Sequence, residues 1–135
     1  MKYETRIDKI GTKRYYLNDI LHREDGPAIE YANGEKHWYK NGKLHRDDGP
    51  AIKYVDEKKC WYQNGKLHRE AGPAVENFNS TKIWYKNGKR HREDGPAIEH
   101  DNGSKKWWLN DILYGLNNHF TNESWKEFVK TLITN

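Results

Sequence analysis

Four histidines at a fixed spacing, His22, His45, His68 and His91, are each followed by an arginine and one or two carboxylates. By residue type alone, His-Arg-Glu-Asp could supply metal ligands or acid–base pairs. The spacing argues against both. If the segments recur in stacked hairpins, equivalent residues lie about 10 Å apart, because two strands separate them. No two of the histidines could then share a zinc ion, whose nitrogen ligands sit at about 2.0–2.1 Å. The third copy also carries Ala71 where the others have aspartate. A structural role is expected: arginine pairs with carboxylates in and between turns, and the carboxylates accept loop N–H groups. No metal and no cofactor are expected.

A second set is the lysine column Lys13, Lys36, Lys59, Lys82 and Lys105, next to tryptophans. It could follow a phosphate backbone while aromatic rings stack on bases. The alternative is that each lysine stem lies along a ring and packs there. Cys60 has no fixed base or oxyanion donors around it, which a nucleophile needs. None of the serines Ser80, Ser104 and Ser124 stands in a nucleophile elbow, and no glycine-rich phosphate loop appears. Enzyme function is not expected.

The element that must position these residues is a 23-residue unit starting at Leu21, Leu44, Leu67 and Arg90, which predicts repeats over 21–43, 44–66, 67–89 and 90–112. Inner turns are predicted at Asn33-Gly34, Asp56-Glu57, Asn79-Ser80 and Asn102-Gly103, outer turns at Asn41-Gly42, Asn64-Gly65 and Asn87-Gly88. Asn-Gly favours the two-residue type I′ turn, which needs positive φ at both positions. Gly-Pro pairs mark the first strand of each unit. Each repeat thus reads as one hairpin. A two-residue turn at 33–34 would put Tyr31 opposite Lys36, Glu30 opposite His37 and Ile29 opposite Trp38. Ile29, Tyr31, Lys36 and Trp38 would then share a core face. His37, Cys60, Ile83 and Lys106, with Tyr39, Tyr62, Tyr85 and Trp108, would share the other.

Residues 1–20 read as a degenerate capping hairpin, and 113–135 as a C-terminal cap. Within that cap Trp125, Phe128, Val129 and Leu132 fall at i, i+3, i+4 and i+7, predicting an amphipathic helix over about 122–133. Thr121 is read as its N-cap, with Glu123 in the first turn. The helix is expected to cover an open sheet edge. The fold class is therefore all-β: an elongated single-layer antiparallel meander of hairpin repeats in one domain, 1–135, with a capping helix.

The composition suits such an array. Charged residues are 33% of the chain, yet 6 Trp, 9 Tyr and 3 Phe argue for order. The net charge of +4 is interleaved, with segments at +2, 0, +1, +2, −1 and 0 from N- to C-terminus, less dense than a usual nucleic-acid patch. One cysteine and no signal-like apolar stretch point to a reducing, cytoplasmic setting.

The stretch Trp38-Tyr39-Lys40-Asn41-Gly42-Lys43-Leu44-His45, with a Gly-containing strand entry after it, resembles the W-x-N-G-K-x-H-G-x-G core of MORN repeats. The likeness covers residues 11–113. It implies stacked β-hairpins of about 23 residues, as in arrays from bacteria, bacteriophages and giant viruses. MORN arrays serve as adaptors, dimerisation surfaces and reputed phosphoinositide binders; Arg23-Glu24-Asp25 and its copies depart from the glycine pair of that family.

The expected function is a non-enzymatic protein-binding module. The resemblance implies a phage or virus accessory protein that binds and blocks a host enzyme or defence complex, acting in the host cytoplasm if viral. The expected contact residues are Tyr39, Tyr62, Tyr85, Trp108, His37, Cys60, Ile83 and Lys106, since aromatics dominate interface hot spots. The alternatives are nucleic-acid or anionic-membrane binding through Lys36, Lys59, Lys82 and Lys105, or a homodimerising scaffold.

Overall fold

The computed structural model describes residues 2–134. The protein is all-β with a single C-terminal helix, and its strands form open antiparallel meanders. It divides into two compact units, 1–67 and 68–135.

In the first unit Glu4–Ile7 pairs with Lys13–Leu17 around a loop held by Asp8, whose Oδ1 accepts the N–H groups of Ile10 and Thr12. The meander continues through Ile29–Glu30, Lys36–His37, Ile52–Lys53 and Lys59–Cys60, each antiparallel to the strand before it. Outer hairpins, such as Tyr39–Lys40 with Lys43–Leu44, form separate two-stranded ladders. In the second unit the meander runs Val75–Glu76, Lys82–Ile83, Ile98–Glu99, Lys105–Leu109 and Ile112–Leu116. A short turn over Asn117–His119 then leads into the helix Asn122–Thr134.

The two turn families differ, and this corrects the predicted register. Outer turns are type I′: Asn41 (φ 51°) and Gly42 (φ 78°) are both left-handed, as are Asn64-Gly65 and Asn87-Gly88. Inner turns hold three residues instead. Tyr31 N–H donates to the Glu35 carbonyl and Gly34 N–H to the Tyr31 carbonyl, with only Gly34 at positive φ. This is a type I turn closed by a bulge. The Asn33 side chain stabilises it by accepting the Glu35 N–H, and Asp56, Asn79 and Asn102 repeat the bond. The equivalent of Gly34 is Glu57 or Ser80 in the middle copies, each at φ 73°.

One extra loop residue shifts the pairing by one. Ile29 faces His37 rather than Trp38, and Glu30 faces Lys36 rather than His37. A one-residue slip moves partners to the other face. Buried Ile29 and Ile52 in the first unit, and Val75 and Ile98 in the second, therefore stand in register with the variable column, in which Cys60 is buried and Arg14, His37, Ile83 and Lys106 are half-buried. Lysines and glutamates share the opposite face.

The helix begins as expected. Thr121 Oγ1 accepts the Ser124 N–H, and Ser124 Oγ accepts the Thr121 N–H, a reciprocal cap. Trp125 and Val129 pack with Trp107 and Leu109 into an apolar cluster flanked by Tyr114, Phe120 and Phe128. The helix thus covers side chains of the last hairpin and adds no strand-like pairing to its edge.

Candidate functional site

The His-Arg-Glu-Asp segments are occupied by their own architecture. In each copy the histidine Nδ1 accepts the backbone N–H of the outer-turn asparagine nineteen residues on: Asn41 to His22, Asn64 to His45, Asn87 to His68 and Asn110 to His91, at 2.9–3.1 Å. That fixes the proton on Nε2, which faces the carboxylate two residues along at 2.7–3.1 Å. Neither nitrogen is left for a metal ion or a substrate.

The arginine bonds more widely. Arg92 donates to Asp94, to the Pro96 carbonyl and to Glu99 at 2.9, 3.2 and 3.0 Å. Its guanidinium lies 3.8 Å from the centre of the Trp84 ring. Arg23 over Tyr15 and Arg46 over Trp38 repeat this stack at 3.9 and 4.0 Å. A Cβ on Gly95 would come within 2.7 Å of the Arg92 guanidinium, so any other residue there would have to displace the arginine from its place. The alanine after Gly-Pro is wholly buried, and the Ala28, Ala51 and Ala97 carbonyls accept the N–H groups of Tyr15, Trp38 and Trp84. The motif fastens each ring-bearing strand to the next loop, as a structural role requires.

The expected contact residues are dispersed by the register. Cys60 is buried in the isoleucine row, and burial pushes its thiol up. His37 is half-buried between Tyr31 and Tyr39, with ring centres 4.9 and 6.4 Å away. Its Nε2 meets Glu35 at 3.2 Å. Ile83 lies between Val75 and Ile98, and Lys106 beside Ile98. This column stands in register with the isoleucine positions, half-buried except at Cys60, which is buried. Tyr39, Tyr62 and Tyr85 stand half-buried in the outer hairpins opposite Leu44, Leu67 and Arg90. Trp108 pairs with Leu113 and lies 3.7 Å beneath the Arg90 guanidinium.

The lysine column is interrupted by carboxylates. Lys13 and Lys36 flank Glu30, while Lys82 and Lys105 flank Glu99. Each glutamate offsets part of the positive field of the two lysines beside it. Lys59 belongs to a different arrangement, in which Lys53 stands between it and Lys36.

The sequence reading missed a groove of about 610 Å³ in the second unit, apolar along one side and polar along the rest of its lining. Its walls include Leu109, Ile112 and Tyr114 from the last hairpin and Val129, Leu132 and Ile133 from the helix. Ile112, Leu132 and Ile133 are 56%, 43% and 68% exposed. The rim carries Lys86 and Lys89, which face each other across the outer hairpin. Glu93, also in the lining, is held by His91. One signal was available: Ile112 stands where earlier repeats have Lys43, Lys66 and Lys89.

Among the described residues no His, Cys, Asp and Glu group has metal-site geometry, and no helix is long and apolar enough to cross a membrane. No protein-family model matches the chain, and no curated protein matches it.

Proposed function

We propose that this is a non-enzymatic protein-binding module whose second unit takes up an apolar, acid-flanked segment of a partner protein. The observation that carries this reading is the groove between the last hairpin and the helix. It gathers Ile112, Leu132 and Ile133, each open to solvent, along the lining of one groove. An open apolar cleft of this kind gains by burying a partner's side chains. Lys86 and Lys89 face each other at its rim, a like-charge pair that costs stability in the free protein. Acidic residues flanking the apolar segment relieve that cost and steer the encounter. The consumption of each His-Arg-Glu-Asp segment by its own turns supports a binding role over a catalytic one. Such a module blocks or bridges its partners, as adaptors built from MORN-like hairpins do.

Selection of a displayed random-peptide library on the protein tests the reading. Enriched peptides should carry aliphatic or aromatic residues flanked by Asp or Glu. Binding should fall at least about tenfold in Leu132→Asp plus Ile133→Asp, a loss of about 1.4 kcal/mol. Both positions are exposed, so the variant should fold. Enrichment of nothing, or of peptides that bind the variant equally well, would sink the proposal.

A further inference from the structure

The second repeat breaks a charge pattern that the other three keep. In those three, the arginine of the loop is answered by a glutamate seven residues on: Arg23 to Glu30 at 2.8 Å, Arg69 to Glu76 at 3.1 Å and Arg92 to Glu99 at 3.0 Å. In the second repeat that glutamate is Lys53. Arg46 keeps its bonds to Asp48 and to the Pro50 carbonyl, and keeps its stack on Trp38. The Lys53 Nζ lies 5.7 Å from the centre of the same ring. Lys53 is also in register with Lys36 on one side and Lys59 on the other.

Neighbouring strands run about 4.8 Å apart, so three ammonium groups stand in one short row, with a guanidinium over the adjoining ring. Like charges directly opposite each other destabilise a sheet. Among the described residues no carboxylate ion-pairs with Lys53. Partial burial, then the charges of Arg46, Lys36 and Lys59, hold its ammonium below the usual lysine range. The first repeat shows what the arrangement lacks. There the Glu30 carboxylate stands in register between Lys13 and Lys36 and takes a bond from Arg23. The second repeat has every cation of that constellation and one more besides, and no carboxylate in register between its lysines.

We propose that Lys36, Lys53, Lys59 and Arg46 form a binding site for a phosphate dianion, either free phosphate or a phosphomonoester, that replaces the missing carboxylate. A carboxylate or chloride answers one positive charge. A phosphate dianion answers two and offers several acceptor oxygens, which suits lysines acting as compact point charges. Acidic residues elsewhere in the lysine column confine the site to this repeat.

The variant Lys53→Glu restores the residue that the other three repeats carry, so it should fold. Thermal unfolding of the wild-type protein and of this variant, in low-millimolar phosphate and in sodium chloride at matched ionic strength, tests the site. In chloride alone the variant should melt higher, because the row of like charges is gone. Phosphate should raise the wild-type melting temperature by a few degrees through mass action on the folded state. It should leave the variant unchanged. General salting-out by phosphate would raise both equally, and that result overturns the proposal. Repeating the series with O-phosphoserine separates the sources: a rise with phosphate only assigns the free ion, and a rise with both assigns the monoester group. No wild-type rise with either ligand overturns the site. Amide chemical-shift changes on phosphate addition should centre on residues 36, 53 and 59, and changes spread evenly over every lysine-bearing strand would also overturn it.

Discussion

Trp84 and Trp107 occupy the same column of the repeat, and the protein covers them by different means. Trp84 is half-buried beneath the Arg92 guanidinium, 3.8 Å from its ring centre. Trp107 is 1% exposed, with Phe120 and Trp125 packed on it at 5.6 and 5.4 Å. The contrast shows what the repeat requires. Tyr15, Trp38 and Trp84 are each covered by an arginine from the next repeat, so an array of this kind cannot end on one of its own repeats. Inside the array the cover must also face water, and arginine can stack by its plane while bonding through its edges. After the last unit no further arginine follows, and the chain supplies an apolar cluster from a helix. The Trp125 indole N–H also donates to the Arg92 carbonyl at 2.8 Å, tying the terminal cover to the last internal one.

Removing the terminal cover is the severest way to break this comparison. Trp125→Ala should cost about 3–5 kcal/mol, the usual range for a buried tryptophan truncated to alanine. It also orphans the Arg92 carbonyl. Urea denaturation measures the loss, and the emission of Trp107 should shift to the red as water reaches it. A loss below about 1 kcal/mol, at the level of a surface substitution, would mean that the last ring does not need the helix.

The internal cover should be worth less, because Trp84 keeps solvent contact in any case. Arg92→Met retains the stem's packing but loses bonds to Asp94, Pro96 and Glu99. Charged hydrogen bonds of this kind contribute about 1.5–3 kcal/mol, so a loss near 2 kcal/mol is expected. Arg92→Lys should recover only part of it, since an ammonium neither forks nor stacks as a plane does. Full recovery by lysine would reduce the cover to charge alone and remove the distinction between stacking and pairing.

What the sequence revealed follows the same division. The hairpin repeat, the outer turns and the helix were legible because each rests on a local signal: a period, an Asn-Gly pair, a spacing of three and four. The inner turns were not, because Asn33-Gly34 and Asn41-Gly42 are the same dipeptide. What separates them is the tolerance of Glu57 and Ser80 in the middle copies. A turn needing two left-handed residues would hardly accept those side chains, whereas a bulged loop needs only one such position. Missing that signal misplaced every partner across the inner hairpins, and with it the assignment of side chains to faces. The role of His-Arg-Glu-Asp was legible in outline from its repetition. The acceptance of the asparagine N–H by the histidine was not, because it joins residues nineteen positions apart. The groove escaped because it forms where the pattern stops, between a hairpin and a helix that no repeat describes.

The mildest test concerns a third cover, over Trp108. Arg90 stands where the earlier repeats begin with Leu21, Leu44 and Leu67, and its guanidinium lies 3.7 Å from the Trp108 ring centre. Asp111 holds it there: one carboxylate oxygen accepts both the Arg90 Nε–H at 2.9 Å and the Arg90 backbone N–H at 2.8 Å. These bonds, followed by the positive charge of Arg90, hold the Asp111 carboxyl below the usual aspartate range. A carboxyl depressed on folding stabilises the native state above its unfolded pKa, and that contribution is lost as the pH falls through the folded value. Asp111→Asn isolates the charge, because asparagine keeps an acceptor oxygen and tolerates the φ of 64° at this position. The cost at neutral pH should be below about 1 kcal/mol, as for other exposed ion pairs. It should hold steady down to about pH 5 and shrink once the pH passes below the ordinary aspartate value of about 3.9. Urea midpoints of the two proteins across that range decide it. If the difference persists undiminished in acid, geometry rather than charge keeps Arg90 on its ring, and the arginine covers differ from the helix in shape alone.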